Sequence, residues 1–459
     1  MTNEQSANFR KALGARILSE ANDLKRTREA LASELGLAQS LVDAVIDGSA
    51  ELDQAQNLVR AMSETYPIAL SDLWLEPDDT RDGAVIMRAD ASRATSRVFE
   101  RKDGNGDLKP YYEYRDTAMS RIGAFKPEWI KELQVVENAD PDNPDVAFNN
   151  GHLMHQQTFF VGEVNFYWSI GGKNYCAELN TGDSNYITPF VPHSFASRNP
   201  EAPGLIIAVT FGGEVRRALD DFSRLDATSA DSLAGDLRDL DAAYRIRLGR
   251  YLSAGSLTTE ELTGRLINLG LEEMRANALA SGSRPASNDE FRQLADALDV
   301  RPEDLALTGL EQSEEVVLRY AQDSAYRAWP DNNNVACHLG ELARTQHLPD
   351  LRGFAVEVLG NSSDAPAFHH HLFEYVYNYG DAPVGLHWST DREDILEPGD
   401  SACLRPTVAH RFSRPEGAGI GRLCIVRLPG ALNNQSLDEF ARFATDGRRR
   451  VSGETSQWF

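Results

Sequence analysis

The feature that most constrains the fold of this 459-residue chain is an internal repeat. Gly182-Asp-Ser-Asn-Tyr-Ile-Thr-Pro-Phe-Val-Pro-His-Ser-Phe195 aligns without a gap with Gly399-Asp-Ser-Ala-Cys-Leu-Arg-Pro-Thr-Val-Ala-His-Arg-Phe412. The two share Gly, Asp, Ser, Pro, Val, His and Phe in register. Each lies among short aromatic and β-branched runs broken by Gly, Pro, Asn and Asp, the pattern of a small β-barrel or sandwich. A looser helical repeat accompanies it. Thr27–Gly48 and Thr258–Gly282 each carry a Leu-Gly-Leu turn, and Asp72-Leu73 and Asp304-Leu305 close the two units in matching places. In the first unit, apolar Leu31, Leu35, Leu37, Leu41, Val45 and Ile46 suit a helix-turn-helix core. The chain therefore reads as a duplicated pair, helical module then β unit.

Composition narrows the function. Hydrophobic residues at 41% and charged residues at 25% describe an ordinary globular protein. The longest apolar run, Leu205–Phe211, is strand-sized, so a membrane span is not expected. The start Met1-Thr-Asn-Glu-Gln-Ser has neither a basic nor an apolar segment of a secretory signal. Cys176, Cys337, Cys403 and Cys424 are far apart, which fits a reducing cytoplasm and argues against a disulfide framework. A net charge of −24 repels nucleic acid and anionic membranes, so an anionic substrate would need a local cluster of donors. The second helix of the apparent helix-turn-helix, Ala38–Gly48, has no Lys or Arg and two Asp, which argues against DNA binding and for a packing role.

The chemistry lies in Asn149-Asn-Gly-His-Leu-Met-His-Gln-Gln-Thr-Phe-Phe-Val-Gly162. It resembles the first motif of the cupins: Asn150 stands in the first histidine slot, His152 in the second, Gln156 in the glutamate slot and Gly162 in the glycine slot. Gly182, Pro189 and His193 match the second cupin motif. Two histidines converging from different strands, plus an oxygen donor, form the facial arrangement of non-haem Fe(II) oxygenases. His155, at odd separation from His152, faces the other way on an extended strand. The fold class expected is α+β, a tandem repeat of a helix-turn-helix-like α-helical module and a cupin (jelly-roll) β-barrel. The expected domains are a helical module at 1–80, the iron-bearing barrel at 81–212, a second helical module at 213–312 and a second barrel at 313–459. Glu76–Gly83 is the expected first linker, and the helical span Gly213–Gly255 joins the halves.

These motifs together resemble the 2-hydroxyethylphosphonate dioxygenase and methylphosphonate synthase family. The dioxygenase branch takes a carboxylate ligand six residues before the last histidine, where this chain has Ile187. The synthase branch has an apolar residue there and a glutamine four residues after the first histidine, as here. The resemblance thus implies His152, Gln156 and His193 as catalytic ligands of Fe(II). It implies Lys25, acting from a partner subunit of a homo-oligomer, with Arg101, Tyr114 (Tyr112 is its rival) and Asn149 as phosphonate-binding residues. The implied reaction is O2-dependent C–C cleavage of 2-hydroxyethylphosphonate to methylphosphonate and CO2. The alternative is hydroxymethylphosphonate and formate; an alternative of another class is a cupin-type ligand-sensing regulator. In the second barrel, His369, His370, His371, Glu374 and His410 suggest another metal site, whereas the resemblance implies an empty one, and Glu374 has the wrong parity to join His369 and His371 without a bulge.

Overall fold

A computed structural model describes residues 3–102, 106–283, 286–310, 314–361, 365–451 and 458. Residues 103–105, within the stretch Arg101–Asp107 that its Gly and Asp residues mark as a hairpin in the sequence, lie outside them. The structure is mixed helix and sheet. Among the described residues, no helix is long and apolar enough to cross a membrane.

The N-terminal helices are α1 (Asn3–Asp23), α2 (Arg28–Leu35), α3 (Gln39–Ile46), α4 (Leu52–Thr65) and α5 (Leu70–Leu73). Thr27 starts α2 by accepting the Ala30 amide on its hydroxyl at 3.1 Å, satisfying one of the first-turn donors. Gly36 ends the helix at φ +65°, the left-handed conformation that a Cβ would penalise. Leu31, Val45 and Ile46 are buried with Leu13, Leu58 and Met62, and Leu35, Leu37 and Leu41 pack against them. A second core of this kind, built on Leu262, Leu266, Leu279, Leu294 and Leu305, occupies the helices between the β units.

The first β unit contains β2 (Arg97–Lys102), β3 (Leu108–Asp116), β4 (Phe125–Glu132), β5 (His155–Val161), β6 (Val164–Ile170), β7 (Lys173–Leu179), β8 (Ser184–Ile187), β9 (His193–Ser197) and β10 (Leu205–Phe211), and is preceded in the chain by β1 (Ala84–Met87). The second contains β11 (Val316–Arg319), β12 (Arg327–Asp331), β13 (Asn334–Glu341), β14 (Arg352–Val358), β15 (Phe373–Asn378), β16 (Val384–Trp388), β17 (Arg392–Leu396), β18 (Ser401–Leu404), β19 (His410–Ser413) and β20 (Gly421–Leu428). Each unit faces a seven-stranded sheet with a three-stranded one. Phe160 and Ile206 meet Phe166 and Phe195 between the sheets of the first unit; Val376 and Ile425 meet Leu386 and Phe412 in the second.

The outer faces of the two large sheets pack on each other, Ile207, Val209 and Phe211 meeting Tyr375, Val426 and Leu428. This explains the unbroken apolar run Leu205–Phe211: its even positions face the interior of one unit and its odd positions the other unit.

The sequence boundaries at 81 and 313 do not divide the sheets. β1 pairs with β18 of the second unit, and β11 pairs with β8 of the first. Each exchanged strand covers an edge that would otherwise expose unpaired backbone groups. The expected linker is likewise held against the second unit. Arg405 Nη1 lies 2.8 Å from Asp78, Arg392 Nε donates to Asp82 at 2.6 Å, and Trp388 Nε1 donates to the Arg81 carbonyl.

Candidate metal and anion site

β5 presents Gln156 and Thr158 to the interior of the first unit, and β9 opens with His193. His152 precedes β5 in a turn fixed by Gly151. At φ +72°, a Cβ on Gly151 would lie 2.5 Å from the Phe190 backbone. The Phe190 amide in turn donates to the His152 carbonyl at 2.9 Å. Local backbone contacts therefore bring the two histidine-bearing segments together. Their rings cross almost at right angles, with centroids 5.2 Å apart.

The tautomers follow from the partners. His152 Nδ1 is 2.8 Å from the Met154 carbonyl, and His193 Nδ1 is 2.8 Å from the Val191 carbonyl. A carbonyl can only accept, so both Nδ1 atoms carry the proton and both Nε2 lone pairs face the cavity. Burial, aided by the neighbouring His152 and Arg101, depresses the His193 pKa to about 4, which keeps it neutral and able to ligate. Gln156 Nε2 donates to Thr158 Oγ1 at 2.9 Å, which turns Oε1 toward His152 Nε2 at 3.3 Å. Two acceptors thus face each other, an arrangement that a cation between them would satisfy. Asn149 Nδ2 donates to His193 Nε2 at 3.0 Å, and its Oδ1 accepts the His193 and Gly151 amides.

The cavity between these groups measures about 210 Å³, room for a small ligand, and is also lined by Arg101, Tyr112, Tyr114, Glu128, Ile130, Met154, Phe195 and Thr210. The Arg101 guanidinium lies 5.0 Å from the Tyr111 ring centroid and 4.9 Å from that of Tyr112, and donates to the Ala147 carbonyl. Tyr112 and Tyr114 both reach the cavity, but their hydroxyls differ. That of Tyr112 is bonded to Ser194 Oγ and accepts the Phe195 amide. Among the described residues the Tyr114 hydroxyl has no hydrogen-bond partner, and burial raises its pKa so that it keeps its proton to donate. Lys25 is not among the lining residues. It sits at φ +58° after α1, its ammonium donating to the Asn22 carbonyl at 3.1 Å and 5.7 Å from the Trp458 ring centroid. His155 points to the opposite face, where Nδ1 meets the Tyr186 hydroxyl at 2.8 Å and burial lowers its pKa to about 4.

Two carboxyls escape a motif-based reading. Glu128 lines the cavity, and Glu132 is fully buried with neither oxygen hydrogen-bonded among the described residues. Burial raises the pKa of both, that of Glu132 strongly against the opposing pull of Arg101. Their register was legible: Glu128, Ile130 and Glu132 alternate on the inward side of β4, and Ile130 is the apolar member of that face.

In the second unit the histidine that joins Glu374 is His370. It stands four residues before the carboxyl, as His152 stands before Gln156. His369 and His371 do not take part in the cluster.

Over 455 residues, 97% of this chain and 95% of the relative, the chain is 36% identical to the methylphosphonate synthase of Nitrosopumilus maritimus (strain SCM1). A structure of Streptomyces albus 2-hydroxyethylphosphonate dioxygenase with 2-hydroxyethylphosphonate and Fe(II) bound superposes with a TM-score of 0.86 at 32% identity, covering 98% of this chain and 99% of that one. A variant of 2-hydroxyethylphosphonate dioxygenase at 20% identity shares the fold, with a TM-score of 0.75 over 95% of this chain and 99% of that one. No protein-family model matches the chain.

Proposed function

The chain belongs to the methylphosphonate synthase family of iron-dependent phosphonate oxygenases, and on that premise we propose that it cleaves the C–C bond of 2-hydroxyethylphosphonate with O2, releasing methylphosphonate and CO2. The balance closes with one water, and the substrate supplies all the electrons that O2 takes up. Each β unit is then a cupin barrel preceded by a helix-turn-helix-like module. His152, Gln156 and His193 would hold Fe(II), which supplies O2 binding and electron transfer at the hydroxyl-bearing carbon. The observation that carries this reading is the third donor. It is the amide of Gln156, with apolar Ile187 across the strand pair where a carboxylate ligand would otherwise come from.

The charge arithmetic gives that donor a role. Two neutral imidazoles and an amide leave the full double charge of the cation to be met by a phosphonate dianion. A carboxylate in the set would cancel half of it. Thr158 holds the amide of Gln156 so that oxygen, the better donor atom, faces inward. When His193 Nε2 is engaged by the cation, the Asn149 amide loses its partner and is freed to donate to a phosphonate oxygen. The Tyr114 hydroxyl donates to a second oxygen. Arg101 supplies the positive charge, its plane fixed by the Tyr111 and Tyr112 rings. Ile130, Met154 and Phe195 provide apolar walls for the two carbons and exclude water. Lys25, exposed on its own module, completes the phosphonate site of a partner subunit in an oligomer of at least two chains.

The test is phosphorus NMR of products formed from 2-hydroxyethylphosphonate in air with Fe(II). Methylphosphonate is the expected product. Predominant hydroxymethylphosphonate, with formate as co-product, would move the chain to the dioxygenase branch.

A further inference from the structure

The second β unit repeats the donor geometry of the first with one change. His370 Nδ1 is 3.1 Å from the Leu372 carbonyl and His410 Nδ1 is 2.9 Å from that of Val408, so both Nε2 atoms face inward, as in the first unit. The two rings cross at 82° with centroids 5.6 Å apart. Glu374 places Oε2 3.1 Å from His370 Nε2 and Oε1 2.9 Å from His410 Nε2. Two imidazoles and a carboxylate so arranged form a facial triad for a divalent first-row metal, and among the described residues this His/Glu cluster is tight enough to hold one. The change is on the neighbouring strand. Arg427 is the cross-strand partner of Glu374, just as Thr210 is the partner of Gln156. Its Nε donates to Glu374 Oε2 at 2.5 Å, and its guanidinium lies 5.2 Å from the Phe354 ring centroid and 4.9 Å from that of Phe368.

We propose that Arg427 is the built-in cation of a closed metal site, and that its removal opens His370, Glu374 and His410 to a divalent metal ion. The charge count favours this over a metal bound beside the arginine. Glu374 is fully buried, so its charge requires a counter-charge, and Arg427 provides one. A divalent ion on the same carboxylate would raise the buried net charge to +2 with a guanidinium against it. In the first unit Thr210 brings no charge, and the cation is left to come from solution.

The test is metal binding by the full-length protein, with Co(II) alone as probe and its ligand-field absorption as readout. Wild type is expected to take up about one equivalent, H152A/H193A none, Arg427→Thr about two, and H152A/H193A/R427T about one. Without metal, Arg427→Thr is expected to melt roughly 3–5 °C below wild type, because Glu374 loses its guanidinium and keeps only the His370 and His410 imidazoles, and Co(II) is expected to restore most of that loss. Arg427→Gln is the milder substitution should threonine fail to fold. Folded Arg427 variants that gain no cobalt would overturn the proposal. So would one equivalent retained by H152A/H193A and lost when His370→Ala is added, because the site would then be open in the natural chain. This inference borrows its template from the iron assignment in the first unit, and the two fail separately: if wild type binds no cobalt while Arg427→Thr gains one equivalent, the first assignment falls and this one stands.

Discussion

Ile187 lies directly across the antiparallel ladder from Gln156, the two being Cα partners on β8 and β5. Partners in such a pair project to the same side of the sheet, with Cβ atoms about 4.5–5.5 Å apart. A third ligand can therefore reach one metal from either strand. In this chain the β5 position offers an amide oxygen, and the β8 position is a fully buried apolar residue that packs with Val316 of the exchanged strand.

Moving the donor across the ladder is the first prediction. Gln156→Ala is expected to weaken Fe(II) binding at least about tenfold, the usual scale for losing a ligand-shell group. Adding Ile187→Glu is expected to restore it. Titration of the apoprotein with Fe(II) under anaerobic conditions reads both, and a double variant no better than the single one would place the metal elsewhere.

Charge gives the second. Gln156→Glu adds a negative charge to the donor set, so metal affinity is expected to rise while 2-hydroxyethylphosphonate affinity falls about tenfold, about 1.4 kcal/mol. Calorimetry with the metal-loaded protein in the absence of O2 separates the two effects. Unchanged substrate affinity would remove the charge-matching role proposed for the amide.

Arg101 is fixed by two rings and a carbonyl rather than by a carboxylate. Arg101→Lys keeps the charge but loses the planar fork. The KM for the phosphonate is expected to rise roughly 10–100-fold with a smaller change in kcat. A kcat loss with KM unchanged would instead place Arg101 at the bond-breaking step.

Acid sensitivity is predicted from His155. Its folded pKa of about 4 lies below the usual 6.5, because burial disfavours the charged form. Between those values the unfolded chain holds the proton and the folded one does not, so stability falls as pH drops from about 6.5 to about 4 and levels off below. At ~1.4 kcal/mol per pH unit this one group accounts for roughly 3 kcal/mol at most. Urea denaturation of the apoprotein across that range should show the slope, to which His193, also held at about 4 by burial, contributes, and His155→Gln should reduce it by about 1.4 kcal/mol per pH unit. An unchanged slope in the variant would assign the effect to other groups.

Much of the site is legible in the chain because it is local. The four-residue spacing from His152 to Gln156 puts an imidazole and an amide on one side of a strand and its approach, and odd-numbered His155 falls on the other. Gly151 announces the turn that His152 needs, and the 182–195/399–412 repeat announces two matching β units. Leu31, Val45 and Ile46 mark the core of the helical module through the same kind of periodicity.

What the linear order leaves open depends on register between distant strands. The exchange of β1 and β11 between the units follows from which sheet edge each strand covers, and no local pattern encodes an edge. Tyr112 and Tyr114 share a parity, and the hydroxyl free to donate is decided by Ser194 and Phe195, some eighty residues away. Arg427 is 53 residues from Glu374, and as text it is one arginine among many. Residue types and short spacings are set by covalent sequence, so they fix what each strand can offer. Hydrogen-bond register and sheet packing are properties of the folded whole, and they alone decide whether an inward carboxylate or amide meets a threonine that leaves room for a metal or a guanidinium that fills its place.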